Sequence, residues 1–211
     1  MWGKWIGCDV PEGMREGFSA AQGGWSAIGD QPGLVGQVGG WDPRTGHARV
    51  LGLWTDADTY ARFMRDRHDT VVAGLRQGET YSGIDIAAGE TVLDLDGDLP
   101  GGLAAAGLLR VADCRLFPGR EEHFLEVQRT VWGPGMAASG GLLAGTVTRL
   151  DPARYLVTTL WTGPDAHRHY TEAHLPALHT RARVQDDAQS ITGHALPLEP
   201  SWRILPTSPS R

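Results

Sequence analysis

The chain has 211 residues, 41% hydrophobic and 21% charged, which suits one large domain or two small ones around a real core. The net charge of −6 argues against nucleic acid and anionic membrane as partners. No apolar run approaches the roughly 20 residues of a membrane span, and the first residues lack the apolar stretch of a secretion signal, so the expected compartment is the cytoplasm.

Residues 4–10 alternate Ile6, Cys8 and Val10 against Trp5, Gly7 and Asp9, a strand pattern that Pro11 and Gly13 end. Met14, Phe18, Ala21, Trp25 and Ile28 then recur at helical spacing, and Pro32-Gly33 stops that helix. "LVGQVGGW" reads as a second strand, "PRTG" as its turn and "ARVLGLW" as a third strand. Thr55 and Asp56 can cap a following helix, because their side-chain oxygens accept from its free N–H groups. A helical patch near 70–78 and a fourth strand, "GETVLDL", complete the order βαββαβ.

The same order returns. Cys8 and Cys114 are 106 residues apart, as are Phe18 and Phe124, and Gln22 and Gln128. Gly33-Leu34 reappears as Gly141-Leu142, and the stretch from Trp54 to His68 reappears as Trp161 to His174. Four collinear matches argue for two copies of a unit of about 95 residues, within the normal domain range. Each copy reads as the ferredoxin-like split βαβ unit, an antiparallel four-stranded sheet with both helices on one face. The expectation is therefore an α+β protein of two tandem ferredoxin-like units. They are set at 1–97 and 108–205, with a Gly/Asp/Ala-rich linker at 98–107 and a flexible tail at 206–211. "SWRIL" is expected to be the last strand.

A strand ending in Trp, a capped helix and a histidine near that helix's end occur once per half. They resemble the dimeric α+β barrel superfamily, which includes antibiotic-biosynthesis-monooxygenase-like proteins. The segments "VPEGMREGF" and "FPGREEHF" are similar to that group's Pro-Gly followed by a charged helix start. The resemblance covers essentially the whole chain and is nearest to small bacterial proteins whose domain has no known function. It implies that the two units cover each other's open sheet faces as a pseudo-dimer within one chain, with further homodimerisation through other surfaces not required. Members of the group include cofactor-free oxygenases, isomerases, polyketide cyclases and haem-handling proteins. The haem-degrading ones carry Asn on the first strand, where this chain has Asp9 or Asp113.

Tyr60, Met64 and His68 fall at i, i+4 and i+8, and Tyr170 and His174 share a face in the second copy. His68 and His174 are the candidate proton-transfer residues, since histidine titrates near neutrality. Each equally fits a core histidine bonded to backbone. Trp25 and Trp132 differ in position between the copies and are the candidate pocket walls, whereas Trp54 and Trp161 match and read as core. Gln22 and Gln128 sit beside the apolar stripe; they either orient a ligand carbonyl or, the favoured reading, brace a neighbouring strand. Cys8 and Cys114 read as small buried apolar groups. The four histidines of "AHRHYTEAHLPALH" lack the spacing of a compact tetrahedral site, so no metal is expected. No cofactor is expected either, haem being the one alternative because a single axial histidine suffices. These features point to an enzyme acting on an apolar or aromatic metabolite, as a cofactor-free oxygenase, isomerase or cyclase. The first half, with Trp25, Tyr60 and His68, is the favoured working copy. The alternative is a non-catalytic binding protein for a hydrophobic metabolite or haem.

Overall fold

The computed structural model describes residues 1–207. Its contacts divide the chain into two compact units, residues 1–90 with the segment from Leu198 onward, and residues 91–197.

In the first unit β1 (Trp2–Asp9), β2 (Leu34–Trp41), β3 (Ala48–Trp54) and β4 (Gly83–Leu95) lie in the order β2-β3-β1-β4, all antiparallel in their pairing with β1 and β3. This is the ferredoxin-like arrangement, with the first strand in the middle. The β2–β3 hairpin closes through Asp42, whose carboxylate accepts from the Arg44 N–H at 2.9 Å. Two helical stretches cover the sheet. One is α1 (Arg15–Gly24) with a 3-10 turn at Trp25–Ile28. The other is α2 (Ala57–Phe63) and α3 (Asp69–Leu75), joined by a π turn at Met64–His68. Asp56 caps α2 as its sequence suggests, accepting from the Thr59 N–H at 2.7 Å.

The second unit begins within β4, whose last residues, Thr91–Leu95, belong to it. A short helix, α4 (Leu99–Ala105), follows. Next come β5 (Leu108–Leu116), α5 (Glu121–Val127), α6 (Gly133–Ala138), β6 (Leu142–Asp151), β7 (Arg154–Trp161), α7 (Pro164–His169), α8 (Leu175–Ala182) and β8 (Ala188–Pro197). The strand order β6-β7-β5-β8 repeats that of the first unit. π turns at Gln128–Trp132 and Tyr170–His174 join α5 to α6 and α7 to α8. The repeat extends to backbone detail. Arg76 and Arg183 both adopt a left-handed conformation just after the last helix of their unit, at φ 51° and 48°. Each then pairs with an acid three residues on, Glu79 and Asp186.

Two expectations are corrected. Residues 98–107 are not a loose linker. Asp98 caps α4 through the Gly101 N–H, and Leu103 is fully buried. Gly97 turns into this helix at φ +116°, where a Cβ would run into the Leu143 carbonyl. Nor is Ser201–Leu205 the last strand. The place beside β5 is taken by β8, with Ala195 opposite Arg110. Past Pro197 the chain enters the first unit instead. Trp202, wholly buried, packs its ring 5.5 Å from Phe18 and 5.2 Å from Trp41. Ile204 exchanges two backbone hydrogen bonds with Gln37 on the β2 edge, at 2.8 and 2.9 Å. The unit boundaries thus fall at Glu90/Thr91 and Pro197/Leu198, not at 97, 108 and 205. Of the expected flexible tail, residues 208–211 lie outside the described residues, and the Thr207 N–H donates to the Gly29 carbonyl. No helix among the described residues is long and apolar enough to cross a membrane.

Candidate functional site

Each unit holds its own cavity of about 270 Å³ between helices and sheet. The first is floored by β1, from which Lys4, Ile6 and Cys8 point the same way because strand side chains alternate. Its walls are aromatic. Trp25 stands on one side, and Trp54, Tyr60 and Phe63 on the other. Tyr60 lies edge-on to Trp54 at 5.9 Å, and Phe63 stacks on Trp54 at 4.8 Å. Ile84 and Ile86 line it from β4 and are about half exposed, which puts an apolar rim at its opening.

The polar groups are few. His68, at the end of the π turn, packs its ring 5.7 Å from Trp25 and 5.9 Å from Phe63. Its Nδ1 lies 2.9 Å from the exposed Asp69 carboxylate. With the Nδ1–H donated to Asp69, Nε2 carries the lone pair. Gln22 belongs to a chain. The Trp25 Nε1–H donates to Gln77 Oε1 at 2.6 Å, and Gln77 Nε2 donates to Gln22 Oε1 at 2.8 Å. Gln22 therefore braces the wall as well as lining the cavity. Lys4 is 8% exposed, its ammonium lying 4.0 Å from the Met64 sulfur and 5.6 Å from the centre of the Tyr60 ring. Burial holds its pKa below the usual lysine range. Gln37, also 8% exposed, lines the same cavity, and its Nε2 has no partner among the described residues. The Cys8 thiol is pushed up to about 11 by burial, so it stays protonated and does not act as a nucleophile at neutral pH.

The second cavity repeats the frame with other walls. Arg110 stands in the place of Lys4, Cys114 in that of Cys8 and Gln128 in that of Gln22, each 106 residues on. Around them are Phe124, Trp132, Met136 and Val157, with His179 5.3 Å from Trp132. A carboxylate also borders this cavity. Asp187 is 3% exposed and lies 2.8 Å from His123 Nδ1.

Of the residues singled out from sequence, Trp25, Tyr60, Gln22 and His68 meet in the first cavity, and Trp132 and Gln128 in the second. Met64 touches Lys4 but is absent from the lining. Tyr170 is buried in the core, its ring 4.9 Å from Trp161. Its hydroxyl has no partner among the described residues. His174 sits beside His169, 5.5 Å away, and His179 is the helix histidine that reaches the second cavity. Sequence reading missed Lys4, Gln37, Gln77, Arg110 and His179. For Lys4 a signal existed, since it shares the two-residue period of Ile6 and Cys8.

Residues 3–88 match a family model described as a domain of unknown function, DUF4937. An uncharacterized protein of Bacillus subtilis, YdbC, is 32% identical over 69 residues, covering 30% of this chain and 56% of that protein. The match thus spans little more than half the length of that relative. Among solved structures, a proposed monooxygenase of Lactobacillus acidophilus aligns over 97% of this chain and 95% of its own, at TM-score 0.72 and 11% identity. A Listeria monocytogenes ferredoxin-fold protein, described as related to antibiotic biosynthesis monooxygenases, aligns over 93% and 95% at TM-score 0.51 and 10% identity. The fold is therefore the tandem ferredoxin-like fold of antibiotic-biosynthesis-monooxygenase-like proteins, as the resemblance in sequence implies.

Proposed function

We propose that the first unit's cavity binds an apolar, aromatic metabolite and that the protein is an enzyme acting on it, His68 moving a proton. The observation that carries this reading is the placement of His68 in an aromatic-walled cavity with Nδ1 held by Asp69. A base in such a place needs no cofactor. Cofactor-free oxygenation, isomerisation and cyclisation share one first step, the removal of a proton from an activated position of the substrate. The structural neighbours described as monooxygenases support the oxygenase branch, in which dioxygen would be the co-substrate. The volume of about 270 Å³ suits a one- or two-ring molecule better than a macrocycle.

The test uses 5-nitrobenzisoxazole, a flat aromatic whose ring opens on loss of one proton. The wild-type protein is expected to accelerate the opening above buffer, and His68→Ala to lose that acceleration while keeping its melting temperature. Equal rates in the two proteins would remove the catalytic role. Binding of the probe by both without turnover would favour the non-catalytic reading, and a Soret band in protein from its native host would favour haem.

A further inference from the structure

We infer that the first cavity selects an aromatic ligand carrying an acidic oxygen, a phenolate or a carboxylate, which docks on the Lys4 ammonium beside the Gln37 amide. This deepens the reading above and rests on it. Lys4 is 92% removed from solvent, yet its ammonium lies against a thioether and an aromatic face. Among the described residues no Asp or Glu lines this cavity. A buried cation without a counter-charge is costly, and folded proteins pair such charges. Here the described residues around the cavity supply no such partner, and a ligand can.

The other groups around the cavity fit an acceptor. Gln37 Nε2 is a buried donor without an acceptor among the described residues. The titratable groups that share this cavity with Lys4 are Cys8, Tyr60, Tyr81 and His68, none of them a carboxylate. The Cys8 thiol is held protonated, and burial raises the phenols of Tyr60 and Tyr81 above their usual values. His68 faces the same space, and its Nε2 is the group left to take a proton from a docked acid or its neighbouring carbon. The repeat supports a role for the cation itself. The position holds Lys4 in one copy and Arg110 in the other, so charge persists where strand alternation calls for an apolar side chain.

Three probes of one shape decide it: 4-nitrophenol, 4-nitrobenzoate and nitrobenzene, titrated by tryptophan quenching and by the nitrophenolate absorbance band. At least one acid is expected to bind about tenfold more tightly than nitrobenzene, a margin a charge-assisted hydrogen bond supplies. If it is the phenol, its dissociation moves about one unit to lower pH when bound. Lys4→Met keeps the length and burial of the side chain. It should erase the preference and leave nitrobenzene binding unchanged, while Arg110→Met should preserve the preference. Gln37→Leu, which spares the cation, should reduce it in part. Nitrobenzene binding with no preference for either acid overturns this inference and leaves the aromatic site standing. A preference that survives Lys4→Met, or that follows Arg110, also overturns it. Failure of all three probes to bind overturns the aromatic site itself. The acid that binds best tells phenolate from carboxylate.

Discussion

The two cavities share a frame and differ in their walls. Each has a cation, a thiol and a glutamine at corresponding positions, yet the first is enclosed by Trp25, Trp54, Tyr60 and Phe63. In the second, the counterpart of Trp54 is Trp161, wholly buried and packed at a tilt against Tyr170 inside the core. Its aromatic rings have gone into packing, and the cavity is left with Trp132 and Phe124 beside aliphatic neighbours. The first cation has no carboxylate in its cavity, whereas the second cavity carries Asp187. Duplication kept the scaffold that makes a pocket, and divergence acted on the rings that choose what fills it.

The sharpest way to break the comparison is through the C-terminal segment, which completes only the first unit. Trp202→Ala should cost about 3–5 kcal/mol, the usual loss for a buried tryptophan. Hydrogen exchange should show β2 and β3 losing protection while β5 and β7 keep theirs. The next effect concerns the two cations. Lys4→Met removes an unpaired buried charge and should raise stability by about 1–3 kcal/mol in denaturant melts. Arg110→Met, at a half-buried site, should stay within about 0.5 kcal/mol.

A third contrast is in pH. His167 is pushed down to about 4, first by burial and then by the positive charge of Arg110, and its buried Nε2 has no partner among the described residues. Below about 6.5 the unfolded chain takes up a proton that the native histidine refuses. Stability is therefore present above that pH and is lost as pH falls towards about 4. His167→Phe should flatten this slope, by on the order of 1 kcal/mol after allowing for partial exposure. The smallest effect is at the helix starts. Asp56 caps α2, but its counterpart before α7 is Gly163, extended and with open space around it. Gly163→Asp should gain a few tenths of a kcal/mol in thermal melts.

Much of the frame is legible from sequence. Both strands of the first hairpin begin and end where the alternation says, at Leu34–Trp41 and Ala48–Trp54. The repeat announces the matching Cys and Gln positions. What escapes is tertiary. The glycines and alanines of residues 98–107 read as linker because only the capping Asp98 and two leucines, Leu99 and Leu103, signal a helix that docks. Trp202 lies within the strand-like run "SWRIL", but its partners, Phe18 and Trp41, are more than 150 residues away. The cavity is half legible. Trp25, Tyr60 and His68 stand at helical spacing and line it, and Met64, in the same row, lies against Lys4. That spacing assumes 3.6 residues per turn, and the π turn at Met64–His68 breaks it. Lys4 shares the two-residue period of Ile6 and Cys8, but nothing local in the sequence marks a lysine at that place as buried.

Those π turns carry a consequence for how such a chain can change. A π turn holds one residue more than an α-helix would over the same length, so all that follows is rotated by about 100° relative to an uninterrupted helix. Removing one residue between Phe63 and Asp69 would let the helix heal into regular winding. His68 would then swing off the cavity wall, though no side chain had been substituted. In these helices a single-codon deletion re-aims a whole face, and length is as heritable a determinant of the pocket as residue identity.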